Sequence, residues 1–210
     1  MNLFDVLSVD DKASATRISG VVVGVVTNNQ DPAGLGRVKV KFPWLSDSEE
    51  SFWARVAMPM AGKGRGFCFL PEVEDEVLIA FEHGDARFPY VVGALWNGQD
   101  KPPEADALDR RVLKSVTGHA VVLDDTKDQE KIEIIDKSGK NTIVIDTVKN
   151  TITITSDKDI TLSASKGTIK LEAQKIEIKS SADTAIEAGA GMDVKATGTM
   201  NVKGAMVNIN

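Results

Sequence analysis

The sequence predicts an all-β protein in two parts: a small closed barrel, then a shaft of stacked strands that several copies must build together. Three observations lead there. From Asn141 to Asn210, pairs of apolar residues separated by one polar residue recur with a period close to eight. No proline follows Pro103, as a segment made of ladder donors requires. Between Ile18 and Trp96, about five short runs rich in valine and alternating residues are separated by turn residues, with no helical periodicity.

The ladder comprises Ile143/Ile145, Ile152/Ile154, Ile160/Leu162, Ile169/Leu171, Ile176/Ile178, Ile186/Ala188, Met192/Val194, Met200/Val202 and Val207/Ile209. From pair to pair the step is 9, 8, 9, 7, 10, 6, 8 and 7 residues. Alternation at period two means strands with one covered face. A period of eight leaves no room for a helix between strands, so the pairs are expected as rungs of a stack rather than hairpins of a globular sheet. Turn-permitting residues fill the breaks, as in Ser156-Asp157-Lys158-Asp159, Ser165-Lys166-Gly167 and Gly189-Ala190-Gly191.

Magnitudes argue that one copy cannot hold such a stack. Full burial of a large apolar side chain stabilises by about 1.5–3 kcal/mol. Each rung has roughly two such groups and must order roughly eight residues, at about 1–2 kcal/mol apiece for the backbone alone. Several copies wound about one axis cover the inner face and pair the open edges. Three is the simplest number that closes a prism. The expected core is Ile143, Ile145, Ile152, Ile154, Ile160, Leu162, Ile169, Leu171, Ile176, Ile178, Ile186, Val194, Val202, Val207 and Ile209.

The barrel is read over residues 18–98. Gly20 to Val26 is expected as a buried strand, followed by the turn-rich Thr27 to Gly36. Arg37 to Phe42 alternates charge with apolar groups, and Trp53–Met58, Glu76–Phe81 and Pro89–Trp96 are further strands. A handful of strands in so short a stretch suggests an OB-fold. Residues 99–111, with Pro102 and Pro103, are expected as a linker, and residues 112–140 as transition strands leading to the shaft at 141–210. Residues 1–17 hold Asp5, Asp10 and Asp11, with no basic start and no long apolar run, so no secretion signal is expected there, and the stretch reads equally as a hub-docking tail or a disordered one.

Composition narrows function. The formal net charge of −6 argues against nucleic acid or an anionic membrane as the main partner. The single cysteine, Cys68, excludes a disulfide framework and is expected as a small buried residue between Phe67 and Phe69. The acidic run Glu72, Glu74, Asp75 and Glu76 reads as a solvated loop, not an acid/base pair. Neither His83 nor His119 has a second ligand at metal-binding spacing. Gly62-Lys63-Gly64-Arg65-Gly66 lacks the ending of a phosphate loop. No catalytic residue, metal site or cofactor is expected. Arg37, Lys39 and Lys41 make a basic stripe, the candidate contact for a partner above the barrel. An alternative is an oligonucleotide- or oligosaccharide-binding OB-fold on an oligomerising stalk, with Phe42 and Trp44 beside that stripe.

Several motifs run in order along the chain: Asp31-Pro32-Ala33-Gly34-Leu35-Gly36-Arg37-Val38-Lys39-Val40, Phe42-Pro43-Trp44, Trp53-Ala54-Arg55-Val56-Ala57, Ala61 to Phe67, Phe69 to Val77, Phe81 to Asp85, and Gly93-Ala94-Leu95-Trp96-Asn97-Gly98. With Ser115 to His119 and Leu123-Asp124-Asp125, they resemble the OB-fold spikes of contractile injection systems. These are the baseplate assembly protein V family of phages and the spike half of valine–glycine-repeat proteins. The resemblance implies a homotrimeric needle at the centre of a baseplate, driven through a target envelope when a sheath contracts. It implies assembly in the bacterial cytoplasm into a phage tail-like particle, with the target membrane met only in passing. The large hub domain of the valine–glycine-repeat proteins has no counterpart in the 17 residues before the barrel, so a separate hub protein is expected. Spikes of this kind that form their own tip carry a His-x-His iron site, whereas the last histidine here is His119. A separate PAAR-type (proline–alanine–alanine–arginine) tip protein is therefore expected on Asn208, Ile209 and Asn210.

Overall fold

The computed structural model describes residues 17–104 and 107–209. The expected docking tail, apart from Arg17, and Asn210 of the expected tip lie outside them. The described residues divide into two compact units that meet at Asp157 and Lys158. Their regular structure is β throughout, apart from one 3-10 turn at Glu82–Gly84.

In the first unit, β1 (Val21–Asn28), β2 (Lys39–Phe42), β3 (Ser46–Glu50), β4 (Arg55–Val56), β7 (Glu76–Phe81) and β8 (Pro89–Ala94) form one sheet in the order β3-β2-β1-β7-β8-β4. All neighbours are antiparallel except β4 and β8, which run parallel. Backbone bonds in both directions between Val38 and Ala54 tie the start of β2 to the start of β4. The sheet thereby curls back on itself, as an OB-fold does. A small separate hairpin, β5 (Ala61–Gly62) with β6 (Arg65–Gly66), projects between β4 and β7.

Period two explains the core. In β7, Val77, Ile79 and Phe81 point inward and are buried, while Glu76, Leu78 and Ala80 are half-buried. Val40 and Phe42 of β2 do the same, and Val26, Val38, Ala54 and Val91 complete the cluster. β1 departs from the expectation of a wholly buried strand: only Gly24 and Val26 are buried, and Val21 and Val23 are exposed. A curled antiparallel sheet covers one face of each strand, so a run of valines need not be buried on both sides. Gly24 sits where β1 crosses the core; a Cβ there would lie 3.3 Å from both Ile79 Cγ1 and the Lys41 carbonyl. Cys68 is a second correction, because it is exposed. Its aromatic neighbours Phe67 and Phe69 pack on each other, rings 6.2 Å apart, rather than into the core.

A second sheet follows: β9 (Arg110–Lys114), β10 (Ala120–Asp124), β11 (Lys131–Ile135), β12 (Thr142–Asp146) and β13 (Thr151–Thr155), each antiparallel to the next. Strand pairing thus starts at Arg110, and one meander runs through position 141. Ile143/Ile145 and Ile152/Ile154, expected as stacked rungs, are strands of a hairpin instead. The turn is responsible. The Asp146 carboxylate accepts the backbone N–H and the ammonium of Lys149, and Asn150 takes the left-handed conformation at φ 53°. Asparagine tolerates that region better than most residues, which reverses the chain in four residues.

The second unit, from Lys158, has a different character. No strand forms within residues 158–209 of the single chain, and all of them are exposed. Bends nevertheless recur at 165–167, 174, 181–182, 189–190, 197–198 and 205–206, a step of about eight residues. The expected period is therefore present in the backbone. The straight pieces between bends have no intrachain ladder to satisfy their N–H and C=O groups.

Candidate oligomerisation face

The register of the second sheet aligns its apolar residues. Leu113, Val121, Ile134, Ile143 and Ile154 are direct cross-strand partners from β9 to β13. Beside them, Leu123, Ile132, Ile145 and Ile152 make a second row. Alternation places both rows on one face, where cross-strand neighbours touch. That face is open: exposure runs from 36% at Ile145 to 71% at Ile152. A shallow hollow of about 460 Å³ lies along the first row. Contiguous apolar surface of this kind marks an interaction site. Covering each half-exposed side chain would contribute about 1 kcal/mol.

The opposite face is mixed, with ion-paired groups beside Val112, Val122 and Val144. Arg110 reaches Glu104 at 2.8 Å, Asp124 at 3.4 Å and Glu133 at 3.6 Å, and Lys131 lies 3.3 Å from Glu133. Val122 is fully covered among these groups. The Asp124 carboxyl is held below its ordinary range, first by the Thr126 hydroxyl and backbone N–H, then by the charges of Arg110 and Lys131. One side of the sheet is thus finished within the chain, and the other is not.

Of the expected core residues, Ile143, Ile145, Ile152 and Ile154 lie on the open face. Leu113, Val121, Leu123, Ile132 and Ile134 share it and were not expected there. Their signal was the same period-two pairing, hidden because the pairs Val121/Leu123 and Ile132/Ile134 are spaced more widely than the shaft repeat. The remaining expected core residues, from Ile160 to Ile209, lie in the second unit. There, in every pair but Ile186/Ala188, whose first member is 71% exposed, the first residue is about half exposed and the second more so, as in Ile169 at 51% against Leu171 at 66%, and Met200 at 49% against Val202 at 69%. The same contrast in successive pairs means that the local geometry repeats. Asn208 and Ile209 of the expected tip are exposed.

The basic stripe is matched by carboxylates of its own barrel. Arg37 binds Asp31 through two bonds, Nη2–Oδ1 at 2.7 Å and Nε–Oδ2 at 2.8 Å. Asp31 also accepts the backbone N–H groups of Ala33 and Leu35, so the pair staples the β1–β2 loop. Lys39 pairs with Glu50 at 3.0 Å, and Lys41 lies 3.9 Å from Glu74.

Asp31 is held far below the usual carboxylate range, first by Arg37 and then by backbone donors, and the Asp85 carboxyl is lowered to about 2, first by Arg87. Depressed folded-state values favour the fold above the ordinary carboxylate pKa, and that contribution is lost as pH falls toward the folded-state values. The barrel should therefore keep its melting temperature down to about pH 4 and lose stability below it. Melting curves of Asp31→Asn at neutral pH and at pH 3 should show a lower neutral value and a smaller acid-induced drop.

Residues 22–96 match the family described as the Type VI secretion system/phage-baseplate injector OB domain. The chain is 32% identical over 111 residues to the type VI secretion system spike protein VgrG3 of Vibrio cholerae, covering 48% of this chain and 11% of that protein. It is 38% identical over 98 residues to the spike protein VgrG5 of Pseudomonas aeruginosa, covering 41% of this chain and 12% of that one. The actin cross-linking toxin VgrG1 of Vibrio cholerae is 35% identical over 72 residues, 32% of this chain and 7% of the toxin. The chain thus spans about a tenth of the length of the curated relatives it matches. In its barrel, residues 22–96, the chain is similar to the injector OB domains of type VI secretion systems and phage baseplates, and it is similar to the VgrG spike proteins.

Proposed function

We propose that this chain is the central spike of a contractile injection system, with a mechanical and not an enzymatic role. Three copies pack their open β9–β13 faces against one another, and the octad segments of the three copies wind around each other as a trimeric β-helix. The observation that carries this reading is the sheet itself, closed by ions on one face and left apolar on the other. The octad segment supports it separately, with a repeating bend and no ladder of its own. Copies of the chain supply both missing partners: apolar cover for the sheet, and strand edges for residues 160–209.

A prism of this kind transmits load through hydrogen bonds between chains, and roughly 4.7–4.9 Å separates adjacent strands. In the assembled particle, the barrels sit under a separate hub protein, with Arg37, Lys39 and Lys41 on the contact surface. A PAAR-type tip covers Asn208, Ile209 and Asn210, and the spike crosses the target membrane only during puncture, after assembly in the cytoplasm. Particles built with a chain lacking residues 158–210 should still form a sheath and contract, but should no longer breach target cells. Normal breaching by such particles would refute the piercing role.

A further inference from the structure

We infer that an arginine-lined apolar groove on the barrel is the seat of the chain's own N-terminal segment, residues 2–11, laid back onto the copy it belongs to. The groove has a volume of about 720 Å³, and Phe52, Trp53, Arg55, Arg87, Phe88 and Tyr90 stand in its wall. Phe52 and Phe88 are 62% and 53% exposed, so its apolar surface is open to a partner.

Cations already lie over three of its rings: Arg37 and Lys39 over Trp53, Arg55 over Tyr90 and Arg87 over Phe88. A guanidinium stacked by its flat face keeps its edge N–H groups free for a carboxylate. Most of these cations are taken. Arg37 is held by Asp31, Lys39 by Glu50 and Arg87 by Asp85. Arg55 is different: among the described residues it has no ion pair, and the Glu82 carboxylate accepts the Tyr90 hydroxyl instead, at 2.6 Å. One open cation among exposed rings cannot track a phosphate chain, which needs a row of them. It suits an apolar peptide that also carries carboxylates.

Residues 2–11 have that composition. Leu3, Phe4, Val6, Leu7 and Val9 are apolar, and Asp5, Asp10 and Asp11 carry the sign that Arg55 requires. Position agrees with charge. The Ile18 N–H bonds to the Gly84 carbonyl at 3.0 Å, and a Cβ on Gly84 would lie 3.1 Å from that of Arg17. The next residue, Asp85, clasps Arg87 in the groove wall. The segment therefore joins the barrel at the lip of the groove. Asp11 is six residues from Arg17, about 20 Å of extended chain at most. So short a tether gives a local concentration in the millimolar range, at which weak contacts suffice.

The test uses the full chain with the photoreactive p-benzoylphenylalanine in place of Phe4. After irradiation, denaturing electrophoresis and peptide mass mapping should show the segment joined to residues 52–56 or 87–90 of a chain that still runs as one copy. Arg55→Glu should lower the yield of that product about tenfold. Asp5→Arg/Asp10→Arg/Asp11→Arg, which leaves the barrel unaltered, should lower it as much. Combining the two sets of changes should restore the yield, which a misfolded barrel could not do. Cross-links that join two copies, cross-links only outside the groove, no cross-link at all, or no recovery in the combined variant would each overturn the assignment. The trimeric spike fails or stands separately, because assembly mass reads the trimer and the cross-link reads the groove.

Discussion

Replacing Ile143 with aspartate should turn the assembled protein into unassembled chains. Ile143 sits mid-row on the open face, between Ile134 and Ile154. In a closed trimer each copy would bring one carboxylate into an apolar interior, and an unpaired buried charge costs several kcal/mol. Three like charges near one axis add repulsion. The isolated chain would suffer far less, because the position is 39% exposed there. Gel filtration with light scattering should show loss of the trimer, while the circular dichroism of the barrel persists. The matching control is Thr153→Asp, on the neighbouring strand, facing the other way and exposed, which should leave assembly intact. Equal disruption by both would mean that unfolding is the cause.

The second large effect concerns register. Removing eight residues from the shaft, 182–189, should leave a shorter trimer of nearly unchanged stability, whereas removing four, 182–185, should destroy the order of everything distal. Bends at 181–182 and 189–190 bracket one repeat, so excision of that repeat joins two equivalent points. Repeat structures tolerate whole-unit changes because each unit contacts only its neighbours. A half-unit change leaves one rung of every copy incomplete, so its bend falls where the rung before it is straight. Protease resistance of the distal segment, read by mass spectrometry, separates the two outcomes. Equal resistance in both deletions would remove the octad from the account.

Much of this was legible in the sequence because period two is a strong signal. The alternation in Lys39–Phe42 and Glu76–Phe81 places their buried residues correctly, and the eight-residue repeat reappears in the bends. What failed to read through was tertiary. A run of valines in β1 gives no sign of which side the sheet will leave open. Phe67 and Phe69 suggested a core around Cys68, but the loop turns them toward each other. The turn at Asp146–Asn150 resembles any other break in the ladder until Asn150 is seen to be left-handed.

The candidate site was half legible for a related reason. Its isoleucines were evident, yet the contribution of β9 to β11 depended on a register that joins Leu113 to Ile154 across five strands. Long-range ion pairs were equally hidden. Nothing in local spacing pairs Lys41 with Glu74, or Arg110 with Glu133.

The most direct check is the mass of the purified full chain in dilute solution, by sedimentation or native mass spectrometry. Three times the 22.6 kDa of one copy, surviving dilution to micromolar concentration and lost when residues 141–210 are removed, is the expected result. A folded species of 22.6 kDa at that concentration, with residues 158–209 protected from exchange, would contradict it.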